Sequence, residues 1–192
     1  MNVIFVTGAP GSGKTSVSSE LAKELSIHQL IGTDTIREIL RNSVSKEDCP
    51  TLHTSAILCC DQTPSGEDEM IWGFEKQALD VKPGIEAVVK RSIKEGKDLI
   101  LEGIHLIPGL VQLEDENVSF IHVVLSVASE DQHLKQLTGQ GESRSSYKIE
   151  NFKKARAFQE YLVEKAKEHG ALVVDNDSIN QIVAIIKQQL IR

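Results

Sequence analysis

Cysteine is scarce in this chain of 192 residues, with three at Cys49, Cys59 and Cys60. An odd, sparse set makes no disulfide framework, and two adjacent cysteines lack zinc-ligand spacing. They read as small buried hydrophobes in a reduced, cytoplasmic protein. No apolar run approaches the ~20 residues of a membrane span. The N-terminus has no basic region or cleavage site, because a strand begins at once. Positive charge is not in excess either: 21 Lys and Arg stand against 28 Asp and Glu, a net charge of −7. That argues against an extended nucleic-acid surface and leaves room only for local basic pockets. Linkers, internal repeats, low-complexity segments and a nucleophile-elbow pattern are all missing. The length suits one domain over 1–192 with a sizeable core.

What the chain does have is concentrated near its start. Val3-Ile4-Phe5-Val6-Thr7 is an apolar, β-branched run. It leads into Gly8-Ala9-Pro10-Gly11-Ser12-Gly13-Lys14-Thr15-Ser16 and then into an amphipathic helix. Gly8 through Thr15 fits G-x-x-x-x-G-K-[ST], with the strand before and helix after that the motif requires. Glycines let consecutive N–H groups converge on phosphate oxygens, and the following helix points its positive end at the same anion. Lys14 is expected to reach the β- and γ-phosphates of ATP, and the Thr15 hydroxyl to bind Mg²⁺.

Period-3.6 and β-branched runs then alternate. Val17, Leu21, Ala22 and Leu25 mark a first helix ending near Ser26, followed by a short strand from His28 that ends at Asp34. Ile36, Ile39 and Leu40 suggest the next helix. Residues 42–70 are irregular and rich in turn formers, and read as short helices and loops building a binding surface. A longer helix is expected from about Ile71 to Glu95, kinked or restarted at Pro83 and stopped at Gly96. Strands follow at 98–103 and 118–127, and Ser129 is a candidate cap for a short helix over 130–137. Gly139 to Ser146 is the most flexible-looking stretch. A helix from Phe152 to Gly170, a strand at 171–176 and a last helix after Ser178 complete the chain. This strand–helix alternation predicts a parallel sheet with helices on both faces and ligands beyond the carboxyl ends of the strands. Gly8 to Thr15, Asp34, Glu102 to His105 and Asn176 all fall at that edge.

Several of these residues suit phosphoryl transfer. Asp34 could accept the proton of an acceptor hydroxyl, and it also suits a helix cap. Glu102 ends an apolar strand where an unpaired carboxylate is costly, which makes it a second metal partner beside Thr15. Arg37 and Arg41 share a helix face and, with His53 and His105, could hold an anionic acceptor. Equally, they could be a solvated face and two structural histidines. Arg144, in the Gly/Ser-rich stretch, and Arg156, on the next helix, could close over the triphosphate, or be ordinary surface arginines.

Longer blocks carry more specificity. They are Ile31-Gly32-Thr33-Asp34-Thr35-Ile36-Arg37-Glu38-Ile39-Leu40-Arg41, Thr51-Leu52-His53-Thr54-Ser55, Gly73-Phe74-Glu75-Lys76-Gln77 and Gly84-Ile85-Glu86-Ala87-Val88. The last is Leu101-Glu102-Gly103-Ile104-His105-Leu106-Ile107-Pro108-Gly109. In this order after a phosphate loop, the chain resembles the P-loop kinase domain of the archaeal 2-phosphoglycerate kinase family. The resemblance implies a three-layer, nucleoside-kinase-like P-loop NTPase fold with a five-stranded parallel sheet in the order 2-3-1-4-5. It implies transfer of the ATP γ-phosphate to 2-phosphoglycerate, giving 2,3-bisphosphoglycerate, with Mg²⁺ as the metal. Residues 35–95 would bind the acceptor and 129–156 would form a lid. Asp34, Arg37, His53, Glu102 and His105 gain weight as site residues. The lid departs from the family pattern. The expected His-x-x-Arg-Phe reads His133-Leu134-Lys135-Gln136-Leu137 and Ser146 precedes Tyr147, leaving Arg144 and Arg156. Other small acceptors (a nucleoside, a sugar, a polynucleotide 5′-hydroxyl) and a non-catalytic ATP switch are the alternatives.

Overall fold

The computed structural model describes residues 1–59, 69–113, 115–138 and 151–190. In chain order the elements are β1 (Asn2–Gly8), α1 (Lys14–Leu25), β2 (Gln29–Gly32), α2 (Thr33–Arg41), a 3-10 turn (Pro50–His53), α3 (Glu69–Glu95), β3 (Leu99–Glu102), β4 (Ser119–Ser126), α4 (Glu130–Thr138), α5 (Phe152–His169), β5 (Leu172–Asp175) and α6 (Ile179–Leu190). The five strands form one sheet in the order β2-β3-β1-β4-β5, with every neighbouring pair parallel. This is the expected order. Asp98 fixes where β1 and β3 begin together, accepting from the Asn2 backbone N–H at 2.6 Å and its side-chain amide at 3.2 Å.

Period-two alternation sorts the strands onto two helical layers. Ile4, Val6, Ile100, Val123 and Leu125 pack against Val17 and Leu21 of α1 and Ile182, Val183 and Ile186 of α6. On the other face Val3, Phe5, Leu99 and Leu101 meet Ile36 of α2 and Val81, Ile85 and Val89 of α3. Further along that face, Val124 packs with Phe74 and Ala78 of α3 and Phe158, Leu162 and Ala166 of α5. The fold is therefore the three-layer α/β arrangement anticipated.

Two local expectations change. α2 begins one residue before Asp34, with Gly32 as its N-cap, so Asp34 lies in the first turn rather than at a cap. α3 runs as one helix through Pro83. Pro83 is exposed and Leu79, whose carbonyl loses its intrahelical partner, is 51% exposed. The missing hydrogen bond thus falls on the water-facing side, where its cost is lowest. Ser129 does cap α4, its hydroxyl accepting from the Gln132 N–H at 3.3 Å. Cys59 is buried and Cys49 half-buried, while Cys60 lies outside the described residues. Among the described residues no helix is long and apolar enough to cross a membrane.

Candidate active site

The turn between β1 and α1 is shaped by backbone alone. Gly13 is the N-cap of α1 with φ +82°, a left-handed conformation, and no side chain caps the helix. A Cβ there would lie 2.2 Å from the Asn176 amide nitrogen. The first N–H groups of α1 therefore remain available to an anion. Asn176, just past β5, donates to the Ser12 carbonyl at 2.7 Å. His133 of α4 is buried and pairs with the Pro10 carbonyl at 2.8 Å. Burial holds its pKa below the ordinary imidazole value. The loop is thus clamped from β5 on one side and α4 on the other.

Lys14 lies along the loop and donates to the Ala9 carbonyl at 2.9 Å. Burial lowers its pKa, opposed by the negative charges of Glu102 and Asp34. Thr15 donates to a Glu102 carboxylate oxygen at 3.3 Å. Burial raises the Glu102 pKa, opposed by Lys14 and by the Thr15 hydrogen bond. A hydroxyl and an incompletely compensated carboxylate side by side are hard oxygen donors, and they suit Mg²⁺.

Two cavities meet at Lys14. One, of about 570 Å³, runs past Gly11, Gly13, Thr15 and Ser16 to Gln132, Gln136, Asn176, Asp177 and Ile179. The other, of about 260 Å³, is bounded by Pro10, Asp34, Ser55, Ala56, Ile57 and Ile104. Lys14 lines both. A triphosphate gripped by the loop would thus present its end to the smaller chamber, and Asp34 stands in that chamber's wall.

The remaining expected residues are placed differently. Arg37 is buried and donates to the Leu52 carbonyl at 3.2 Å, to the Thr54 carbonyl and to Glu38 at 2.7 Å, with Asp34 at 3.6 Å from its Nε. Arg41 pairs with the same Glu38 at 2.8 Å. These two arginines therefore brace α2 and the 52–54 segment rather than open a joint anion clamp, because Glu38 between them takes both. His53 bonds the Val44 carbonyl at 2.9 Å and does not line the smaller cavity. His105 is 0% exposed, bridging Thr33 at 2.8 Å and Gln77 at 3.0 Å. It faces the core behind the cavity, and burial pushes its pKa down to about 4. Arg156 donates to the Val127 carbonyl at 2.7 Å beyond β4 and lines neither cavity. Arg144 lies outside the described residues, as does most of the 129–156 lid region between α4 and α5. Gln132, Gln136, Asp177 and Ile179 on the larger cavity, and Ala56 and Ile57 on the smaller, carry no motif that single-chain reading could have found. Ser55 and Ile104 sat inside the resembling blocks without a distinguishing chemistry.

Fold and site together define a P-loop nucleotide-binding α/β protein. The chain belongs to the AAA domain family, whose model matches residues 4–159. The likeness to 2-phosphoglycerate kinases is borne out. The 2-phosphoglycerate kinase of Pyrococcus furiosus is 34% identical over 98% of this chain and 63% of its own length. That of Thermococcus kodakarensis is 33% identical over 98% of this chain and 66% of its own. That of Methanocaldococcus jannaschii is 36% identical over 94% of this chain and 60% of its own. The chain thus spans a little under two thirds of these curated relatives. Among solved structures, a gluconokinase from Sinorhizobium meliloti matches with a TM-score of 0.56 at 18% identity, covering 100% of this chain and 92% of that one. Shikimate kinase from Acinetobacter baumannii matches at 0.54 and 15%, covering 99% and 92%. At such identities the two structures speak to the fold alone.

Proposed function

We propose that the protein is a Mg²⁺-dependent kinase that transfers the γ-phosphate of ATP to the free hydroxyl of 2-phosphoglycerate, giving 2,3-bisphosphoglycerate and ADP. The observation that carries this reading is the pair of cavities sharing Lys14, with Asp34 in the wall of the smaller. The relatives' names supply the acceptor. The amides of Gly11 to Ser16 hold the β-phosphate at the positive end of α1. The Lys14 ammonium moves from the Ala9 carbonyl onto the β- and γ-phosphates and follows the charge that develops between them. Asp34 accepts the proton of the attacking hydroxyl. Thr15 and Glu102 are the residues to hold Mg²⁺, which supplies neutralisation of phosphate charge. Residues 35–95 carry the acceptor side. Asn176 acts by holding the phosphate loop.

The test is incubation with radiolabelled ATP and Mg²⁺ against 2-phosphoglycerate, 3-phosphoglycerate, glycerate, nucleosides and sugars. Label on 2-phosphoglycerate above all others is expected. Nucleotide binding with no labelled product would sink the kinase reading. A second reading, a less anionic acceptor such as a sugar, is favoured by one observation. Among the described residues the smaller cavity offers one cation, Lys14, while Arg37 and Arg41 are engaged elsewhere.

A further inference from the structure

Behind the smaller cavity lies a buried polar chain whose direction can be worked out. The Gln77 side-chain amide is 0% exposed, and one end of it sits 2.5 Å from the Thr51 carbonyl and 3.0 Å from the Thr54 carbonyl. Two carbonyl oxygens demand that this end be the NH₂ group, so the orientation follows from its surroundings. The amide oxygen then faces His105 Nε2 at 3.0 Å, which obliges Nε2 to carry a proton. Burial keeps the ring neutral, so Nδ1 holds a lone pair, and the Thr33 hydroxyl 2.8 Å away must donate to it. The chain therefore runs one way: Thr33 to His105 to Gln77 to the carbonyls of Thr51 and Thr54. Every link is buried except the part-buried one to Thr54, and each donor has one acceptor that satisfies it.

Three members of this chain are adjacent in sequence to the walls of the cavity. Thr33 precedes Asp34, Ile104 precedes His105 and Thr54 precedes Ser55, and Asp34, Ile104 and Ser55 all line it. Arg37 adds a second tie to the same segment through the Leu52 and Thr54 carbonyls. Thr33 is itself held on the metal side, since a Cβ at Gly103 would lie 1.8 Å from its hydroxyl oxygen. We propose that His105 is a positioning residue, setting the span between Asp34 and the Ser55–Ile57 wall and so the fit and alignment of the acceptor, without touching it. This rests on the smaller cavity being the acceptor site of a kinase.

The test has three readouts on the full chain. In the wild type, long-range ¹⁵N NMR should find His105 as the neutral Nε2–H tautomer across pH 5.5–8. The Nδ1–H tautomer or a charged ring would overturn the proposal. Thr33→Val keeps the shape and removes the donor, and Gln77→Leu removes the far link. In each, hydrogen exchange over 51–57 should quicken while that over 8–15 does not. With 2-phosphoglycerate as acceptor, kcat/KM should fall roughly 10–100-fold, the scale of a sub-ångström to ångström misplacement. Mg²⁺–nucleotide affinity should stay within about twofold, and Thr33→Ser, which restores the hydroxyl, should recover most of the loss. Folded variants with unchanged acceptor kinetics, or no recovery in Thr33→Ser, count against it. If the wild type transfers nothing to 2-phosphoglycerate, the functional reading falls separately, and the tautomer and exchange measurements still decide the role of His105.

Discussion

Asp34→Asn separates chemistry from scaffolding at this site. The Asp34 side chain is 70% exposed, and its ion pair with Arg37 is long, at 3.6 Å. An exposed pair contributes ~0.2–1 kcal/mol, and a carboxylate in the first turn of a helix ~0.3–1 kcal/mol. Losing both costs about 0.5–2 kcal/mol. In a chain of this size each kcal/mol lowers Tm by about 2–4 °C, so the variant should melt only a few degrees earlier. As the acceptor's general base, by contrast, Asp34 is worth about 10²–10⁴ in kcat, or about 2.7–5.4 kcal/mol at ~1.36 kcal/mol per decade. Nucleotide affinity should hold or improve, because the substitution removes a negative charge that faces Lys14. The measurements are ADP release at saturating acceptor, calorimetry with Mg²⁺ and a non-hydrolysable ATP analogue, and thermal melting. A kcat within threefold of wild type would refute the base assignment. So would a fall in rate fully explained by lost nucleotide binding.

Glu102→Gln should raise the Mg²⁺ needed for half-maximal rate by about tenfold or more. Because burial lifts the Glu102 pKa, the wild-type rate should fall on acidification sooner than an ordinary glutamate would dictate, and excess Mg²⁺ should push that limb to lower pH. Gly13→Ala places a methyl 2.2 Å from the Asn176 nitrogen in a left-handed conformation. Calorimetry should find nucleotide affinity reduced by about 10²-fold or more. His105 and His122 are both held near pKa 4 by burial, against 6.5 when unfolded. The unfolded chain binds more protons between those values, so their contribution is complete above pH 6.5 and is lost as pH falls toward 4. The slope is up to about 1.4 kcal/mol per pH unit for each, readable from denaturant midpoints at pH 7, 5.5 and 4.5. A flat profile over that range would show that neither ring is held neutral.

The sheet and the phosphate loop were legible because both are local. β-branched runs announce parallel strands buried on two faces, and a glycine-rich turn between strand and helix has few other uses. The placement of Glu102 beside Thr15 was legible for a related reason: a carboxylate at the end of Leu99-Ile100-Leu101 has no packing explanation. What single-chain reading could not resolve was the direction of side chains. Arg37 and Arg41 do share a face of α2, but only the packing of 52–54 against that helix decides that Arg37 turns inward. His53 and His105 could have gone either way, and a partner settled each: the Val44 carbonyl, 9 residues away, for His53, and Gln77, 28 residues away, for His105. The role of α4 was hidden too, since the Pro10–His133 contact spans 123 residues.

The lysine's resting hydrogen bond to Ala9 has a consequence for turnover. Its ammonium is never stranded when the site is empty, because a carbonyl five residues earlier keeps it occupied. Capturing a polyphosphate is thus an exchange of partners, and the net gain is the difference between a charge–charge contact and the contact given up. That difference shrinks once the terminal phosphate has departed. On the proposed kinase reading, the side chain would then have the Ala9 carbonyl to return to, which would loosen its hold on the spent nucleotide.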